Sequence, residues 1–114
     1  MPRFLVVEDE FFVAAYIEGL LNEEGLEVVG PVSTLDEAKR MASEQAIDGA
    51  LLDVNLGGDR VDDVADILAR RHVPFVFVTA YGRDNLPRSH REAAMVHKPF
   101  NDVVFMRQVR LLSQ

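Results

Sequence analysis

Apolar residues along the chain fall into two alternating patterns. Short, largely apolar runs occur at residues 4–7, 26–29, 50–54, 75–78 and 95–96, each bounded by polar residues, Gly or Pro. Runs of this length, rich in Val, Leu and Phe, are what strands look like when a sheet is covered on both faces. Between them lie stripes with helical spacing. Val13, Ile17, Leu20 and Leu21 recur at i, i+4, i+7 and i+8, and Gly25 follows as a stop signal. Leu35, Ala38, Met41 and Ala42 form a second stripe, opened by Thr34-Leu35-Asp36-Glu37 with the spacing of a capping box. Val61, Val64, Ala65, Leu68 and Ala69 form a third, and Val104, Phe105, Val109 and Leu112 a last one behind Asn101 as N-cap. Residues 81–94 break the regularity. Pro87 and its polar neighbours leave room only for a shortened fourth helix starting near Pro87.

Five strand–helix alternations predict an α/β fold, a doubly wound five-stranded parallel sheet with right-handed crossovers and helices on both faces. In such sheets ligands bind beyond the carboxyl ends of the strands. The residues at those ends are chemically selective. The first run leads into Glu8-Asp9, the third contains Asp53, the fourth leads into Thr79 and the fifth into Lys98-Pro99. Three carboxylates on one rim raise each other's pKa unless a cation joins them. A divalent ion together with Lys98 balances their charge. Oxygen donors without Cys favour Mg²⁺, with Mn²⁺ as the second choice. A carboxylate kept ionised beside such an ion and a lysine is able to attack phosphorus, while the cations absorb charge on the phosphoryl oxygens.

The motifs that carry this chemistry resemble those of a known family. Phe4-Leu5-Val6-Val7-Glu8-Asp9, Leu51-Leu52-Asp53-Val54-Asn55-Leu56, Val78-Thr79-Ala80-Tyr81 and His97-Lys98-Pro99-Phe100 are similar to the motifs of receiver domains in bacterial two-component response regulators, in order and over essentially the whole chain. The resemblance implies a flavodoxin-like strand order of 2-1-3-4-5. It implies Asp53 as phosphoacceptor, Asp9 as a direct Mg²⁺ ligand with Glu8 acting through water or helping to hold it, and the backbone carbonyl of Asn55 as another ligand. Lys98 would bridge to the phosphoryl group, Thr79 would swing its hydroxyl onto it, and Lys98-Pro99 would be a cis peptide. Two departures stand out. Family members with the usual switch carry an aromatic residue three positions before the lysine, where this chain has Met95, and the interval from Thr79 to Lys98 is short. Phe77-x-Thr79-x-Tyr81 is similar to an atypical receiver subgroup, in which Tyr81 would supply the missing aromatic. By the same resemblance, the side chains of Asn55 and Tyr81 would tune hydrolysis of the acyl phosphate.

Composition narrows the alternatives. The 114 residues are 48% hydrophobic and 27% charged, which suits one domain over residues 1–114. With no Cys there is no thiol nucleophile, Cys-ligated zinc or iron–sulfur cluster, and a reducing cytoplasm is the expected compartment. Residues 1–3 lead straight into the first strand without the form of a signal peptide. The most apolar stretch, residues 11–17, is far shorter than the about 20 residues needed to span a bilayer, so no membrane insertion is expected. A net charge of −7 argues against direct nucleic-acid binding. The charge is uneven: residues 1–80 hold 6 Lys+Arg and 16 Asp+Glu, residues 81–114 hold 6 and 3. Arg83, Arg88, Arg91, Arg107 and Arg110 make the fourth crossover and last helix a basic end, where receivers commonly meet their targets. His72, His90 and His97 show no metal spacing and read as structural or surface residues.

The resulting expectation is a receiver phosphorylated by a sensor histidine kinase or a histidine phosphotransfer protein, signalling through protein contact rather than acting as a turnover enzyme. The alternatives are a phosphorylation-independent pseudo-receiver or docking module, a phosphate sink, and a Mg²⁺-dependent phosphatase. A flavin mononucleotide binder of similar architecture would need a Ser, Thr and Gly loop where this chain has Glu8-Asp9-Glu10, and no dinucleotide or Walker sequence occurs.

Overall fold

The computed structural model describes residues 1–113. The elements run β1 (Arg3–Val7), α1 (Phe11–Glu23), β2 (Glu27–Val32), α2 (Leu35–Glu44), β3 (Gly49–Leu52), β4 (Asn55–Leu56), β5 (Asp59–Arg60), α3 (Asp62–Arg70), β6 (Phe75–Thr79), β7 (Ala94–His97) and α4 (Asp102–Leu112). Five strands form one parallel sheet in the order β2-β1-β3-β6-β7, which is the 2-1-3-4-5 arrangement. Strand alternation then divides the core. Leu5, Val7, Ala50, Leu52 and Phe77 pack with the buried faces of α2 and α3; Phe4, Val6, Leu51, Val76 and Val78 pack with those of α1 and α4.

The local signals act where the sequence places them. Gly25 stops α1 at φ +77°, with its N–H donating to Asn22 and that of Leu26 to Leu21. The Thr34 hydroxyl accepts from the Glu37 N–H at 3.4 Å, one half of the capping box, and Asn101 Oδ1 accepts from Val103 and Val104.

Three features differ from the sequence expectation. β2 runs past Val29 to Val32, because an edge strand tolerates Pro31 and a bulge between Leu5 and Val7 restores pairing. Gly30 makes that possible: its φ is +98°, and a Cβ there would sit 2.8 Å from the Val32 nitrogen and 3.1 Å from the Val6 oxygen. Next, residues 55–60 form the antiparallel hairpin β4–β5, turned by Gly57 and Gly58 at φ +56° and +99°. Finally, the fourth crossover is reduced further than a short α-helix. It consists of two 3₁₀ turns, Arg83–Asn85 and Arg88–His90, the second starting directly after Pro87. Leu86 is buried in the core between them, and arginines add to the backbone bonds of the turns: Arg83 donates to the carbonyls of Arg91 and Ala93, and Arg91 to that of Leu86.

Candidate active site

The sheet's hydrogen-bonding continues one residue past the strand ends and fixes the rim. The Asp53 N–H donates to the Val7 carbonyl at 2.9 Å, that of Lys98 to Thr79 at 2.8 Å, and that of Glu8 to Val32 at 2.9 Å. Glu8 and Asp53 are consequently buried, at 2% and 8% exposure, although they carry carboxylates. The Lys98–Pro99 peptide is cis. From it the Lys98 ammonium reaches three acids: Glu8 Oε1 at 2.7 Å, Glu10 Oε1 at 3.2 Å and Asp53 Oδ2 at 3.3 Å.

One ammonium does not satisfy this cluster. Carboxylate oxygens of Glu8, Glu10 and Asp53 lie within 4.8 Å of one another. Glu8 Oε2 accepts the Glu10 N–H at 3.1 Å, and buried Oε1 has as its partner the Lys98 ammonium, which it shares with Glu10 and Asp53. Three carboxylates sharing one ammonium leave surplus negative charge, and that surplus, with hard oxygen donors, fits a divalent cation. Burial is the main reason that the Glu8 carboxyl is pushed up to about 7; Lys98 pulls it down and the neighbouring Asp53 pushes it further up. For Lys98 burial alone would lower the pKa, yet contacts with Glu8, Asp53 and Glu10 outweigh it and hold the ammonium above its ordinary range.

The expected residues do not all converge. Asp9 is exposed and turned away from the cluster, with Oδ2 accepting the Gly57 N–H at 2.8 Å and tying the β1–α1 loop to the hairpin. Glu10 takes a place beside Lys98 that the sequence reading gave only to Glu8, Asp9 and Asp53. Its signal was the unbroken acidic run Glu8-Asp9-Glu10, whose last member also fits a first-turn helix acid. Asn55 is half-buried, and its N–H lies 3.4 Å from Asp53 Oδ1. Thr79 is fully buried, and its hydroxyl accepts the Tyr81 N–H at 3.1 Å. Tyr81 itself is 55% exposed. Met95 pairs with Phe77 in the sheet and packs inward on the α2–α3 side of the core. His90, which lacked a sequence partner, bonds Asp66 of α3 at 2.8 Å.

Comparison with known proteins decides the family. The response regulator receiver domain family matches residues 4–110. The chain belongs to that family. It is 37% identical over 102 residues to the phyllosphere-induced regulator PhyR of Methylorubrum extorquens, covering 86% of this chain and 38% of PhyR. The chain thus spans well under half of that relative's length. Among solved structures, SdrG from Sphingomonas melonis superposes with a TM-score of 0.86 at 34% identity, covering 98% of this receiver and 96% of SdrG. The response regulator TrrA from Thermotoga maritima, solved in complex with Mg²⁺–BeF, gives a TM-score of 0.84 at 27% identity, covering 98% and 99%. The chain is therefore a receiver domain of the two-component class with a five-stranded flavodoxin-like fold. Among the described residues no helix is long and apolar enough to cross a membrane.

Proposed function

We propose that this receiver takes a phosphoryl group onto Asp53 from the phosphohistidine of a sensor kinase or phosphotransfer protein. The observation that carries the reading is the Asp53 carboxylate held 3.3 Å from the Lys98 ammonium within a cluster too acidic for that lysine to balance. Glu8 and Asp53 would hold a Mg²⁺ ion, with Asp9 close by in sequence and the Asn55 carbonyl as a further donor. When bound, that ion supplies charge neutralisation and draws electron density from phosphoryl oxygens. Mg²⁺–BeF in TrrA supports this assignment by likeness.

Asp53 attacks phosphorus in line, and the bond to the donor nitrogen breaks on the opposite side. The Lys98 ammonium follows the new negative charge, exchanging acid contacts for phosphoryl oxygens. Thr79 is positioned one strand away, and its hydroxyl turns from the Tyr81 amide to donate to the phosphoryl group. That motion pulls on the fourth crossover, whose basic face with α4 passes the signal to a protein target. Hydrolysis of the acyl phosphate resets the domain, with Asn55 and Tyr81 controlling water. The chain therefore carries one phosphoryl group at a time, and its lack of Cys suits a reducing cytoplasm.

Incubation with Mg²⁺ and acetyl phosphate, followed by intact mass, tests the proposal. Wild type gains one phosphoryl group, while Asp53→Asn gains none. A wild type that stays unmodified in the presence of bound Mg²⁺ would leave a phosphorylation-independent docking module as the better description.

A further inference from the structure

The fourth crossover is fastened to the hairpin and α3 by one side-chain contact on each of its turns. The turns themselves are short, closed by the N–H groups of Asn85, Leu86 and His90 on the carbonyls of Gly82, Arg83 and Pro87. In the first turn, the guanidinium of Arg60, at the end of β5, donates to the Asn85 carbonyl at 2.9 Å. In the second, His90 Nε2 lies 2.8 Å from a carboxylate oxygen of Asp66 on α3. An ionised carboxylate only accepts, so the imidazole N–H donates. The ring is mostly buried and lies edge to face against Phe75 at 5.4 Å. Between the two contacts is an open polar cavity of about 390 Å³, with Asp62, Arg88 and Ser89 among its walls. Buried Leu86 anchors the middle of the segment, and the two polar contacts hold its turns across that gap.

We infer that Arg60 and Asp66 form an autoinhibitory clamp: they hold the fourth crossover in its resting position, and activation at Asp53 breaks their contacts as the crossover shifts. The inference rests on the reading of Asp53 as phosphoacceptor with Thr79 as its relay. Both contacts are able to open without stranding a charge. Arg60 keeps a second partner, Asp62 Oδ1, 3.0 Å from its Nε, so losing the Asn85 carbonyl leaves the guanidinium paired. The Asp66 side chain is half exposed, so water replaces the imidazole there. The pull also arrives at the right place. Tyr81, whose N–H rests on the Thr79 hydroxyl, stands just before the first turn, with both clamp points further along the segment. A contact made at rest and lost on activation biases the equilibrium toward rest by its net strength. By linkage, removing it tightens the binding of whatever favours the active state.

Beryllofluoride, a stable mimic of an aspartyl phosphate, reads that linkage. With the full chain and Mg²⁺, its affinity is measured in wild type, Arg60→Met, Asp66→Ala and Asp66→Asn. Arg60→Met keeps the length of the side chain without its donors, and Asp66→Asn keeps an oxygen that accepts from His90. Amide exchange of residues 83–91 is followed in the same proteins without the mimic, with residues 75–78 of β6 as the check that the sheet is intact. Exchange in the crossover rises about fivefold in Arg60→Met and in Asp66→Ala, the worth of one net hydrogen bond, and beryllofluoride binds more tightly by a similar factor. Asp66→Asn stays close to wild type in both measurements. Faster exchange with unchanged or weaker beryllofluoride binding overturns the clamp, because the contacts then support the fold without opposing activation. Exchange equal to wild type in both broken variants overturns it as well. In either case a wild type that binds beryllofluoride leaves Asp53 as acceptor. A wild type that neither binds it nor gains a phosphoryl group overturns the phosphoacceptor reading and the clamp with it.

Discussion

Replacing Glu8 by Gln tests the electrostatics of the site without touching the acceptor. Glu8 is almost fully buried, and its carboxyl is pushed up to about 7 from 4.5. The folded state therefore holds that proton more tightly than the unfolded chain. Stability from this group is fully present below pH about 4.5 and is lost as pH rises through about 7. A rise from 4.5 to about 7, at about 1.36 kcal/mol per pH unit, sets a ceiling of about 3 kcal/mol. Glu8 shares its environment with Lys98 and Asp53, so about 2 kcal/mol is a fair expectation. Urea unfolding in a chelating buffer at pH 5 and pH 8 reads it directly. Wild type loses about 2 kcal/mol over that interval, about 1 M in midpoint at an m-value of about 2 kcal/mol/M. Glu8→Gln, neutral at both values, lacks that loss and is the more stable protein at pH 8. Parallel pH profiles for the two proteins would refute the assignment of the buried titrating group to Glu8.

Other substitutions address separate links. Gly30→Ala forces a left-handed backbone onto a side chain that meets Val32 and Val6, so unfolding midpoints should show a loss of about 2 kcal/mol or more; a neutral result would mean that β2 bends differently. Thr79→Ala should still gain a phosphoryl group, but amide exchange across residues 81–94 should no longer respond to it. An exchange response equal to wild type would take Thr79 out of the relay. Asn55→Ala should lengthen the life of the acyl phosphate and Tyr81→Ala shorten it, followed as loss of the added mass. Unchanged lifetimes would assign the reset to other groups.

Much of this fold was legible because burial on both faces forces continuous apolar strands and striped helices, patterns that residues 4–7 and 61–69 carry plainly. The rim was legible for the same reason: strand ends locate Glu8, Asp53, Thr79 and Lys98 before any coordinate is known. What escaped depends on contacts far apart in sequence. The partner of His90 is Asp66, 24 residues away, and Asp9 reaches Gly57 across 48. Glu10 fits a first-turn helix acid, since only the arrival of Lys98 just past β7 gives its side chain a second purpose. The hairpin at residues 55–60 has strands of two residues, too short for any periodicity to reveal. In the fourth crossover, Pro87 marked a start correctly, but two 3₁₀ turns tied down by arginine-to-carbonyl bonds, rather than an α-helix, make up the segment.

Chemical mapping of the modified residue addresses the central claim most directly. After incubation with Mg²⁺ and a phosphodonor, borohydride reduction converts an aspartyl phosphate into homoserine, which peptide mass spectrometry locates. Homoserine at position 53, absent when Mg²⁺ is chelated, is the predicted result. Modification at another carboxylate, or none in protein that binds Mg²⁺, would contradict the account.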